Sequence, residues 1–330
     1  MNLNNLQNLQ GEMKKLGFSP ELIARMEEKM KEDKPLFTLH DQVPATKGVV
    51  ELTLHFKQSQ QSDFYYLRRL EACHNQGRVL EVGEKYNVLI KTSEGQTNPT
   101  KSMDTISEAA EYFKQQTGDA ILAIVKGNKQ VAEVAMMENG KINYINNSFK
   151  REFNSPPMSQ TFWLQYGNGF NREQAANLVQ GRAVYREDLL SREGNPYNAW
   201  MQLDTENKRD DNNNLSFRQF TDSYGYDVKT QLDEYKIVGL EDPKKMAHLE
   251  GVLKNGGRPF VSVVKDGEEV KMYLETAVRY GKLNFYREDG KPEKREQFLK
   301  ETGLEKVEGL DKSKGKTQEK VAAPTQGLGV

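Results

Sequence analysis

The chain has 330 residues, 29% of them charged and 36% hydrophobic, and a net charge of -1. That is enough for one large or two medium domains with real cores, and no run reaches the roughly 18 apolar residues of a membrane helix. The near-neutral balance argues against a protein that coats nucleic acid indiscriminately, while leaving room for a local basic face.

Residues 2–33 read as two helices, the second opening at Ser19-Pro20-Glu21, a capping side chain followed by proline at the first helical position. Leu22, Ile23, Met26 and Met30 give it an apolar edge. From Val49 the period becomes two, with Val50, Leu52, Leu54 and Phe56 alternating with Glu51, Thr53 and His55. Phe64 to Ala72 reads as a second strand, joined to the first through the polar KQSQQSD link as a hairpin.

Residues 86–149 form a β-α-β-β-β pattern of their own. A strand at Tyr86 to Lys91 precedes a helix through Ala109, Ala110 and Phe113, with Thr105 and Glu108 at capping-box spacing. Strands follow at Ala120 to Val125 and Val131 to Met136, and Asn139-Gly140 turns the chain back into Ile142 to Ile145. Pro156-Pro157 marks the end of the pattern.

The stretch from Gly167 to Asp204 has the clearest local logic. Asn171 and Gln174 stand at capping-box spacing, Ala175, Leu178 and Val179 make one apolar stripe, and Gly181 supplies a left-handed exit. After Gly194-Asn195-Pro196, Tyr197, Ala199, Met201 and Leu203 alternate with Asn198, Trp200, Gln202 and Asp204, a strand whose second face carries Trp200. That face needs a cover, and burial in this chain's own core is the preferred reading over a docking surface.

A strand at Leu215 to Phe220, helices at Tyr226 to Tyr235 and from Asp242-Pro243, and a hairpin of Phe260 to Val264 with Val270 to Thr276 over Asp266-Gly267 come next. Leu283 to Tyr286 and a short helix near Pro292 to Thr302 close the series, and the polar residues from 305 onward read as disordered. The expected fold is α+β, mostly antiparallel sheets with short packed helices. The expected organisation is a helical segment 1–34, a first α+β domain 36–156 holding the inserted unit 86–149, a second α+β domain 157–304, and a tail 305–330.

The phrases GFSPELIARMEEKMKEDKPLFTL, ELTLHFKQSQQSDFYYL, SQTFWLQYGNGFNREQAANLVQGRAVYREDL, YNAWMQLD and SYGYDV resemble a domain family of unknown function carried by conjugative transposons of gut anaerobic bacteria. The resemblance covers roughly 11–72 and 158–286, and departs between Asn75 and Pro157, where a short connection would be expected. It implies an accessory role in a mobile genetic element and supplies no catalytic residues.

Candidate chemistry is sparse. Tyr166-Gly167-Asn168-Gly169 before a helix resembles a phosphate loop but lacks the lysine and hydroxyl of the full pattern, so a tight turn needing positive φ is preferred. Asp204, Glu206, Asp210 and Asp211 invite calcium, yet counting from Asp210 the sixth and twelfth positions hold Leu215 and Thr221 in place of glycine and glutamate. His40, His55, His74 and His248 show no ligand spacing. Neither a metal nor a cofactor is expected. Cys73 alone excludes an internal disulfide framework, and MNLNNLQNLQGEMKK lacks a secretory apolar core, so a cytoplasmic location without a membrane partner is expected.

Aromatic and arginine side chains cluster in the later region, and Trp163, Tyr166, Asn168, Arg172, Arg182 and Trp200 are the candidate binding residues. The same aromatics fill the cores of ordinary mixed sheets, and that is the preferred reading of the set, since aromatics are strand-favoured. The leading expectation is a non-enzymatic accessory or interaction protein with a protein partner, binding through the second domain around the GNG turn and Trp200. The alternatives are a single-stranded nucleic-acid-binding module, and a nucleotide- or small-molecule-processing enzyme whose acidic residues converge only in the fold.

Overall fold

The computed structural model describes residues 2–91, 97–155 and 159–300. The chain opens with α1 (Leu3–Lys15) and α2 (Pro20–Lys31), then β1 (Leu36–Pro44), β2 (Val49–Gln58) and β3 (Tyr65–Asn75). Next come β4 (Glu84–Lys91), β5 (Thr97–Met103), α3 (Ile106–Lys114), β6 (Ala120–Lys126), β7 (Lys129–Glu138), β8 (Lys141–Ile145) and α4 (Lys150–Asn154). The middle holds β9 (Ser159–Trp163), α5 (Arg172–Leu178), β10 (Val184–Leu190), β11 (Pro196–Leu203) and β12 (Phe217–Thr221). The last elements are α6 (Val228–Asp233), α7 (Pro243–Lys254), β13 (Phe260–Lys265), β14 (Glu268–Ala277), β15 (Lys282–Tyr286) and β16 (Pro292–Glu293). Packed helices and antiparallel sheets make the fold α+β. No helix among the described residues is long and apolar enough to cross a membrane.

The described residues fall into two compact units: those up to 224 with 254–257, and 225–253 with 258–300. In the first, Asn2 and Ser19 cap α1 and α2 through their side chains, and Leu9, Met13, Met26 and Met30 are buried. They share a core with a sheet of order β1-β2-β3-β9. Its rows Leu39–Leu54–Leu70–Phe162 and Phe37–Phe56–Leu67 face inward. The opposite face carries Thr38–His55–Arg69–Trp163 and Leu36–Lys57–Tyr66.

The pairing of β9 with β3 moves the expected boundary. Residues beyond 157 do not start a separate domain, because Trp163 pairs with Arg69 and Ser159 with Cys73 inside the first sheet. A strand's register partner lies beyond the reach of local pattern when a whole unit intervenes.

That intervening unit is a five-stranded sheet, β5-β4-β6-β7-β8, with α3 on one face and a core of its own that includes Tyr86, Phe113, Leu122 and Phe153. The β-α-β-β-β expectation lacked β5, whose TNPTKSM sequence is polar and interrupted by Pro99. Proline is tolerated there because β5 is an edge strand with a register shift beside it. Thr105 caps α3 by accepting from the Glu108 N–H. The first backbone N–H of α3, at Ile106, donates to Glu51 Oε1 of β2 at 2.9 Å. Glu51 is buried, and among the described residues its Oε2, the Tyr86 hydroxyl and Glu152 Oε2 find no hydrogen-bond partner. Burial, reinforced by the charge of Glu152, raises the Glu51 carboxyl from 4.5 to about 8.

Elsewhere in the first unit α5 shows the full capping box, with Asn171 accepting from Gln174 N–H and the Gln174 side chain accepting from Asn171 N–H. It packs beside the sheet β10-β11-β12.

The second unit is a sheet of order β13-β14-β15-β16 around Leu232, Tyr235, Phe285 and Phe298, with Phe285 stacked on Phe298 at 4.6 Å between ring centres. The short helix expected near Pro292 to Thr302 is instead β16 followed by a 3-10 turn at Arg295–Phe298. Pro292 pairs with Tyr286 across β15, so the sheet edge rather than helix propensity sets its conformation. The expected tail, 305–330, lies outside the described residues.

Candidate functional site

Where the outer face of the β1-β2-β3-β9 sheet meets the GNG turn there is a cleft of about 1320 Å³. Trp163 ends β9 and is 71% exposed; Tyr166, in the turn that follows, is 66% exposed. Tyr166 and Gly167 take left-handed φ of 49° and 69°, and Gly169 has φ 131°. A Cβ on Gly169 would stand 2.9 Å from the Trp163 carbonyl oxygen, so the turn reading of the glycines is sufficient. Lys15 of α1 donates to Asn168 Oδ1 at 2.7 Å, fixing the turn from the other side. Glu12, also on α1, accepts from the Gly167 N–H, and its half-buried carboxyl is raised above the usual range by desolvation.

Strand β3 supplies the floor. Its register against β2 runs Arg69–His55 and then Leu67–Phe56, so Arg68 is the extra residue of a β-bulge. The bulge turns Arg68 onto the side of Tyr66, with its guanidinium 4.8 Å from the Tyr66 ring centre. Tyr66 in turn meets Tyr166 edge to face at 6.3 Å. Lys57, the cross-strand partner of Tyr66, is exposed beside it.

The neighbouring charges are largely committed. Arg69 Nη2 lies 3.2 Å from Glu71 Oε1, and His55 Nε2 lies 3.3 Å from the same oxygen. Arg186 binds the Asp188 carboxylate at 2.7 and 2.6 Å while lying over the Phe170 ring. Among the described residues neither Lys57 nor Arg68 has a carboxylate partner.

Three of the six expected binding residues, Trp163, Tyr166 and Asn168, therefore line one cleft. The other three do not. Arg172 is occupied by Asp41 and by the Gln42 carbonyl at 2.9 Å. Arg182 is buried and donates to Asn177 Oδ1 at 2.7 Å, Gln180 Oε1 at 2.8 Å and Thr46. Trp200 is 2% exposed, its ring 5.3 Å from that of Tyr185, its cross-strand neighbour. These three hold the first unit together.

Sequence reasoning missed Tyr66, Lys57 and Arg68. Period-two alternation in the hairpin could have put Lys57 and Tyr66 on the polar face. Nothing local marks Arg68, since a bulge is a property of the pairing. The acidic loop after Asp204 is self-satisfied: Asp204 pairs with Arg218 at 2.7 Å, and Asp210 accepts from the Asn212 and Asn214 N–H groups. Set against family models, curated proteins and solved structures, the chain matches none of them.

Proposed function

We propose that this chain is a non-enzymatic binding protein whose working surface is the cleft between β3 and the GNG turn. The observation that carries the reading is the pair Trp163 and Tyr166, 71% and 66% exposed at the mouth of a 1320 Å³ cleft. Large rings left open to water at one spot mark an interaction site, and tryptophan and tyrosine are favoured binding anchors. The acidic and imidazole groups close by are tied to Arg186, Arg69 and the backbone of Gly167, which favours a recognition surface over one that moves protons. The resemblance to a family carried by conjugative transposons supplies the context, an accessory component of a mobile genetic element. A reducing cytoplasm fits the single cysteine.

A photoreactive benzoylphenylalanine at position 163, installed in the cell of origin, tests the cleft directly. Adducts should form at 163 and be absent from a control at the exposed position Gln130 of the five-stranded sheet. Equal labelling at both positions, or none at 163, would overturn the reading.

A further inference from the structure

Resting on that reading of the cleft, we infer that its ligand is a single-stranded nucleic acid. The bases lie against Trp163, Tyr166 and Tyr66, and the phosphates sit at Lys57 and Arg68. Charge complementarity points this way. The cleft is lined by Lys57, Arg68, Arg69 and Arg186 against Glu12 and Asp188, and with Glu71, the partner of Arg69, counted the local balance is +1 (4 - 3) in a chain of net -1. The acidic members are engaged within the protein, whereas Lys57 and Arg68 carry their charge with no carboxylate opposite among the described residues. A polyanion can use those two cations without breaking an existing pair.

The rings supply the second argument. Tyr66 and Arg69, which faces Trp163, stand three residues apart on β3, so the Tyr66 and Trp163 platforms are on the order of 10 Å apart. Two platforms at that separation can be reached by bases of one extended strand, and stacking on such platforms tolerates any base. Arg68 above Tyr66 adds a guanidinium plane that can stack and meet a phosphate at once. A duplex hides the faces of its bases, so these platforms discriminate against it.

The test uses the full-length chain with fluorescein-labelled oligonucleotides of about 12 residues: oligo-dT, oligo-rU and a mixed duplex. Either single strand should bind and quench Trp163 emission, with the duplex at least tenfold weaker. Trp163→Ala, checked for an unchanged melting curve, should weaken binding about 5- to 100-fold. Lys57→Gln should lower affinity for all sequences alike and reduce the slope of log K against log salt by about 0.7. No binding of either single strand, equal binding of duplex, or affinity untouched by both substitutions would overturn the nucleic-acid assignment. The adducts at position 163 separate this failure from that of the cleft itself. Adducts that vanish with nuclease support the inference; adducts sensitive only to protease overturn it while leaving the cleft as a protein-binding surface.

Discussion

Trp163 and Trp200 belong to strands of one unit, yet the first is 71% exposed and the second 2%. Truncating the buried ring removes its packing against Tyr185 and leaves a void, so Trp200→Ala should cost about 3–5 kcal/mol in urea denaturation. Trp163→Ala has no core to disturb and should stay within about 0.5 kcal/mol of the parent. Equal loss in both variants would contradict this division of labour. Gly169 gives a third residue-scale test. Its φ of 131° and the Trp163 carbonyl 2.9 Å from any added Cβ leave alanine nowhere to go. Gly169→Ala should cost on the order of 1–3 kcal/mol and displace the turn that carries Tyr166, lowering ligand affinity as well.

The five-stranded sheet is the element whose independence can be measured. Its chain leaves β3 and rejoins at β9 where Cys73 and Ser159 are cross-strand partners. Joining Gln76 to Ser159 by a short glycine-rich turn should convert β3 and β9 into a hairpin and leave a folded remainder with a native near-ultraviolet circular dichroism spectrum. A molten product would show that the insertion is needed for folding. The same interface has a pH signature. Folded, Glu51 keeps its proton up to about pH 8, whereas unfolded it ionises near 4.5, so the folded state binds the extra proton between those values. Stability therefore falls as pH rises through that window, by at most about 5 kcal/mol at roughly 1.4 kcal/mol per pKa unit. Denaturation at pH 5, 6.5 and 8 should show a shallower decline in Glu51→Gln; an unchanged slope would place the titration elsewhere.

For the whole molecule, chain order and compact units do not coincide. Residues 254–257 belong with 1–224, where the Asn255 carbonyl accepts from Asn177 Nδ2 at 2.7 Å and the Gly256 carbonyl accepts from Arg182 at 3.4 Å. A chain ending after Tyr224 loses both acceptors: Asn177 Nδ2 loses the Asn255 carbonyl, while Arg182 keeps Asn177, Gln180 and Thr46. That truncation should be less stable than the full chain, by about 1–3 kcal/mol for the Asn177 amide left unpaired. Adding the 254–257 segment back through a designed linker should recover part of the loss.

What the sequence determined by itself was whatever closes within a few residues. The Asn171–Gln174 capping box, the Thr105 cap, the proline-led start of α2 and the hairpins over Asn139-Gly140 and Asp266-Gly267 all depend on side chains and dihedrals three or four positions apart. The rings beside the GNG turn were candidates by residue type alone, and their exposure was not legible, a core reading being preferred. Tertiary structure decided which of those candidates were free. Asp41 neutralises Arg172 and Thr46 engages Arg182 from more than a hundred residues away, and the register of β3 against β2 creates the bulge that brings Arg68 over Tyr66. Charge and ring type are written in the chain, but whether a charge is already paired or a ring already covered depends on long-range contacts that no local period encodes.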